Sequence, residues 1–197
     1  MRHYIFPSML LILLVLKHNI KKAGPKEDKF KSLLELESEA NNTRKQDISN
    51  LPYMTIPKDS LPFGRLTPVS RNEQTILGLM DKKILNLTGI TNTVLKKQYG
   101  VANLEFLTQC DENFTLLVRS LNGWAKEFSD ANLTDEARYI LEYSITIGSD
   151  IRQSYQMLAD IYFTDLDHDA LLKLRSQAEG LSSLSAKSIL EYIDTLL

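Results

Sequence analysis

The sequence predicts an all-α fold: a solenoid of antiparallel helix pairs, about two repeats plus a capping helix. An N-terminal hydrophobic anchor helix and an extended Pro-rich strap precede it. Three observations predict it. Seven positions near the C-terminus recur at a spacing of 34 residues: Leu121 with Tyr155, Trp124 with Leu158, Ala125 with Ala159, Phe128 with Tyr162, Ala137 with Leu171, Leu141 with Arg175, and Ser144 with Ala178. A fixed period of this length marks a stack of helix–turn–helix units. Apolar residues within each unit fall at i, i+3, i+4 and i+7, the period of a one-sided helix. Residues suited to helix ends stand between the stripes.

The chain opens with an apolar run from Tyr4 to Leu16, interrupted only by Ser8. The run is shorter than the roughly 20 residues that span a bilayer comfortably. Its length suits the core of a signal peptide, but lysines follow it where cleavage needs small neutral residues. We therefore expect an uncleaved membrane anchor over 1–24, a single pass through the cell membrane via residues 4–16. Only Arg2 precedes the run, whereas Lys17, Lys21, Lys22, Lys26, Lys29 and Lys31 follow it. This asymmetry places the C-terminal body in the cytoplasm.

Residues 25–69 form the approach to the helical body. Lys26 to Ala40 carries Phe30, Leu33, Leu34 and Leu36 at loosely helical spacing, which predicts a short amphipathic juxtamembrane helix ending at Asn41-Asn42-Thr43. From Ile48 to Val69 four prolines, Pro52, Pro57, Pro62 and Pro68, alternate with Leu51, Tyr53, Met54, Ile56, Leu61 and Phe63. Proline blocks helix and central-strand pairing, yet the segment is too apolar for a flexible tether. An extended strap that lays its apolar side chains on the helical body satisfies both facts.

The helical body is expected over 70–197. Ser70-Arg71-Asn72-Glu73 has the spacing of a capping box, and Ile76, Leu77, Met80, Ile84 and Leu85 form one face of a helix that Gly89 would stop. A short helix follows from Thr91 to Tyr99, ended by Gly100. Asp111 is the expected cap of a long stripe through Phe114, Leu117, Val118, Leu121, Trp124, Ala125 and Phe128. The next helix starts at Thr134, with Asp135 and Glu136 in the turn where the helix dipole favours anions, and Gly148 closes it. Ser149 or Asp150 caps a helix through Ile151, Tyr155, Leu158, Ala159 and Tyr162. Asp167 caps another through Ala170, Leu171, Leu174 and Ala178, closed by Gly180. Ala186 to Leu197 supplies the last helix, with Ile189, Tyr192 and Leu196 in the same register.

Leu121-x-x-Trp124-Ala125-x-x-Phe128 with Ala137-x-x-x-Leu141 resembles a tetratricopeptide repeat. So does Tyr155-x-x-Leu158-Ala159-x-x-Tyr162 with Ala178. The resemblance spans 118–185, about a third of the chain. It departs from the family at Arg175, where an apolar or aromatic residue is usual, and at Leu171, where alanine is usual. Ser149 and Ser183 stand where each repeat normally ends in proline, and Ile193 replaces a small residue in the last unit.

The resemblance implies a concave face, lined by the first helix of each pair, that takes an extended peptide or a partner helix. Carried over, that face holds Arg119, Asn122, Lys126 and Asp130 from one unit and Gln153, Gln156, Asp160 and Phe163 from the next. Its mixture of basic, amide and acidic groups suits a peptide backbone. The expected function is a membrane-tethered adaptor; the alternatives are a peptide-sensing regulator and a non-catalytic accessory subunit of a membrane-associated enzyme complex.

Composition narrows the other classes. A net charge of −2 over 197 residues gives no basic field for nucleic acid. The one cysteine, Cys110, lacks an activating cation beside it in sequence and reads as a buried small residue. His3, His18 and His168 are scattered, without metal-ligand spacing. Asp165, Asp167, His168 and Asp169 crowd one turn, as helix-capping groups do. The sequons at Asn41, Asn86, Asn113 and Asn132 fall at helix starts and turns, where Asn and Thr are favoured anyway. No phosphate loop or paired nucleophile and base is evident. We expect no enzyme, cofactor, metal or small-molecule substrate.

Overall fold

The computed structural model describes residues 29–197; the apolar run at 4–16 and the anchor expected there lie outside them. The described chain is all-helical, with eight helices and no strands. Helix α1 covers residues 29–41. The others are α2 (Arg71–Leu79), α3 (Asn92–Tyr99), α4 (Val101–Asp130), α5 (Thr134–Thr146), α6 (Arg152–Thr164), α7 (His168–Glu179) and α8 (Ala186–Asp194). Among the described residues no helix is long and apolar enough to cross a membrane. The chain forms two compact units, one containing the described residues up to Ile48 with Thr91–Leu104, the other Ser49–Ile90 with Glu105–Leu197.

In the first unit α1 is held by its C-terminal half. Ala40 is fully buried. Glu37 pairs with Lys96 and accepts a hydrogen bond from the Thr93 hydroxyl at 2.7 Å. The Lys96 bond first, then Thr93, holds the Glu37 carboxyl below its ordinary value. Thr91 caps α3, accepting from the Val94 amide at 3.4 Å, and Gly100 ends it at φ 84°. A Cβ on Gly100 would stand 2.6 Å from the Arg44 carbonyl oxygen, so this crossing requires glycine. Buried Asn103 ties the chain together, donating to the carbonyls of Gln46 at 2.8 Å and Tyr99 at 2.7 Å.

The second unit has one hydrophobic core, and the Pro-rich segment is part of it. Ile56 and Leu61 are buried with Ile76, Leu79 and the inner faces of α4 to α8. The Phe63 ring lies 4.9 Å from the Trp124 ring, and Trp124 meets Phe128 edge-on at 5.4 Å. Ser70 caps α2 through the Glu73 amide at 3.0 Å. The return arm of the expected capping box is not formed. The Glu73 carboxylate is instead buried and accepts from the Gly64 amide at 2.6 Å, fastening the strap.

Four other expectations are corrected. Helix α2 stops at Leu79 rather than near Gly89, leaving Leu77 exposed. Ile84 leaves the helical face because its carbonyl accepts from the Met54 amide at 2.9 Å, a bridge to the strap. Asp111 is not a helix cap, because α4 already begins at Val101; its carboxylate accepts from the Leu87 amide at 2.9 Å. Helix α6 starts at Arg152 with Ile151 as its cap, so Ser149 and Asp150 lie before it. Helix α8 ends at Asp194, short of Leu197. Asp167 does cap α7, accepting from the Ala170 amide at 3.0 Å, and Cys110 is buried.

Helix boundaries recur at the sequence period. Helices α4 and α6 end 34 residues apart, α5 and α7 start 34 apart, and so do α6 and α8. The turns repeat too. After α4, Leu133 N–H donates to the Phe128 carbonyl at 2.9 Å and Asn132 N–H to Ser129 at 3.0 Å. After α6, Asp167 N–H donates to Tyr162 at 2.9 Å and Leu166 N–H to Phe163 at 3.1 Å. Both are Schellman closures, which place one left-handed residue just past the helix. That residue is Asn132 at φ 59° and Leu166 at φ 60°.

Candidate functional site

The candidate face is carried by the second half of α4, by α6 and by α8. Their inner stripes are buried, so the intervening positions point outward: Arg119, Lys126, Asp130, Gln153, Asp160 and Phe163 are exposed, and Asn122 and Gln156 are half-buried. Two of the eight expected residues, Asn122 and Gln153, touch across helices. Asn122 donates from Nδ2 to Gln153 Oε1 at 3.0 Å, and its Oδ1 accepts from the buried Ser154 hydroxyl at 3.0 Å. This cross-link joins α4 to α6. A second one joins α6 to α8, where the Tyr192 hydroxyl donates to Asp160 Oδ1 at 2.5 Å.

The remaining residues are arranged more locally. Lys126 pairs with Asp130 one turn on, at 2.7 Å and well exposed. Gln156, with its carbonyl turned to Arg152, accepts from the guanidinium Nε at 3.2 Å. Phe163 lies at the rim of a cavity of ≈ 150 Å³ that it shares with Leu166, His168 and Leu196. Sequence reasoning missed Ser154 and Tyr192. Tyr192 stands 34 residues after Leu158, a core position, and that register hid the reach of its hydroxyl.

The face can do hydrogen-bonding chemistry on both signs of partner group. Arg119 and Lys126 offer cations, Asp130 and Asp160 anions, and Asn122 and Gln153 amides. The bond to Asp160, followed by burial, raises the Tyr192 hydroxyl above its ordinary value, so it remains a donor at neutral pH.

Elsewhere in this unit, Tyr162 donates to Glu142 Oε1 at 2.8 Å beside a cavity of ≈ 190 Å³ between α5, α6 and α7. Burial and that carboxylate push Tyr162 strongly upward. A wider cavity of ≈ 330 Å³ lies between the strap and α5, lined by Asp59, Phe63, Arg65, Asp135, Glu136 and Tyr139 among others. Asp165 pairs with Arg138, and Asp167 is used as the α7 cap.

No family model, curated protein or solved structure matches this chain.

Proposed function

We propose that this protein is a membrane-tethered protein-interaction module of tetratricopeptide-like build, whose α4–α6–α8 face takes a peptide or protein partner. The observation that carries the reading is the pair of polar cross-links, Asn122 to Gln153 and Ser154, and Asp160 to Tyr192. They tie together side chains of the three alternate helices α4, α6 and α8, so a partner meets positioned groups rather than mobile ones. The 34-residue recurrence of helix ends supports the same reading, since stacked pairs present a continuous surface built for binding. The tether rests on the apolar run at 4–16 and the lysines after it. The module acts by recognition, without catalysis of its own.

A photo-crosslinking residue at Lys126 in the full chain, expressed in its source cells, tests the face. A discrete adduct from position 126, absent when the same group replaces Lys173 on α7, supports it. Equal labelling from both positions contradicts it.

A further inference from the structure

Helix α1 carries an apolar face that the described residues of its unit leave exposed. Phe30 is 61% exposed, Leu33 63% and Leu34 54%. On a helical period these three share a side with Glu37 and Ala40, one or two turns downstream. Glu37 binds α3 through Lys96 and Thr93, Glu39 pairs with Lys97 of α3 at 3.4 Å, and Ala40 is buried. The helix is thus gripped at its C-terminal end, and the same side continues past the grip as bare hydrocarbon. The opposite side carries Ser32, Glu35 and Glu39, all exposed, with Leu36 at its edge, 44% exposed.

We propose that this face of α1 lies in the headgroup region of an anionic lipid bilayer, with Phe30, Leu33 and Leu34 among the acyl chains. Charge decides the occupant. The segment from Lys17 to Lys31 holds six lysines against Glu27 and Asp28, and it joins the face directly to the apolar run. A cluster of lysines beside an apolar helix face is drawn to phosphatidylserine-type surfaces, through attraction that salt weakens. The inference rests on the membrane tether proposed above and adds a second contact, which would set how far the folded units stand from the lipid surface.

The test places an environment-sensitive fluorophore at Leu33→Cys and, separately, at Glu35→Cys on the polar side of the same helix. The parent chain, carried through the labelling, reports any background from buried Cys110. Each full-length protein is reconstituted into vesicles of phosphatidylcholine alone or with phosphatidylserine. The label at position 33 should shift to the blue, be quenched by nitroxide lipids, and be shielded several-fold from aqueous iodide. That shielding should grow with phosphatidylserine and fall with salt, while the label at position 35 stays open to iodide. Vesicle-bound protein with both labels equally open to iodide overturns the inference and leaves the tether standing. Protein that does not float with vesicles overturns both. Shielding of position 33 without vesicles assigns the face to the apolar run or to a second copy, and also overturns it. Phe30→Ser with Leu34→Ser should abolish the blue shift at position 33 yet leave flotation intact.

Discussion

The first helix pair, the end of α4 with α5, and the second, α6 with α7, share a spacing but not a chemistry. In the first, Leu121, Trp124, Ala125 and Phe128 are all buried, with Phe63 of the strap closing over Trp124. In the second, Tyr155, Leu158 and Ala159 are buried, but Tyr162 is half-buried and turns its hydroxyl to Glu142. Leu141 in α5 is buried, whereas its counterpart Arg175 in α7 binds Asp194 at 2.6 Å and Glu179 at 2.5 Å. The turn residue is Asn132 in one and Leu166, 88% exposed, in the other. The difference teaches that a repeat position is apolar where something covers it. The strap covers the first pair. In the second, Tyr162 and Arg175 reach solvent and are hydrogen-bonded or charged, and the exposed turn residue Leu166 is the exception.

The largest effect should come from the covered pair. Trp124→Ala removes a fully buried ring and should cost about 3–5 kcal/mol. Half-buried Phe63 should cost less on its own when changed to Ala. The two changes should couple by about 0.5–1.5 kcal/mol, as ring pairs at this separation do. Strictly additive denaturant midpoints would mean that the strap does not seat on Trp124.

The second pair should be the more sensitive to alkali. Burial, with Asp150 as the lesser cause, pushes Tyr155 up to about 12. Tyr162 is raised in the same direction by burial and Glu142. A phenol whose folded value lies above its unfolded one contributes stability that is complete below pH ~10 and is lost as pH rises through the folded value. Tyr155 alone accounts for about 2–3 kcal/mol of that loss. Tyr155→Phe should flatten the decline of melting temperature above pH ~10; an unaltered slope would place the sensitivity elsewhere.

A smaller effect separates the turns. Asn tolerates the left-handed region, whereas a branched apolar side chain costs about 1–2 kcal/mol there. Leu166→Gly should therefore raise the melting temperature, and Asn132→Leu should lower it. A stability loss in Leu166→Gly would show that the exposed leucine packs on something in solution.

Much of this was legible in the sequence, for local reasons. The stripe through Leu117, Leu121, Trp124 and Phe128, the caps at Ser70 and Asp167, and the stop at Gly100 all depend on neighbours within a turn or two. The failures involve partners far along the chain. Asp111 is a good capping residue, but Leu87 claims its carboxylate. Glu73 has the right spacing for a capping box, but the strap amide of Gly64 takes it. Ile84 continues the α2 pattern, but Met54 draws it away. On the candidate face, the expected positions Asn122 and Gln153 meet directly. Tyr192 escaped notice because only the packing of α8 against α6 brings it to Asp160.

The most direct test of the account is charge reversal on the exposed face of the covered pair. Arg119→Glu and Lys126→Glu change no buried contact, so each should alter stability by no more than about 0.5 kcal/mol. Capture of the cellular partner by the full chain, measured beside matched thermal melts, should fall sharply for both variants at unchanged melting temperature. Capture equal to wild type in both would contradict the α4–α6–α8 face as the binding surface.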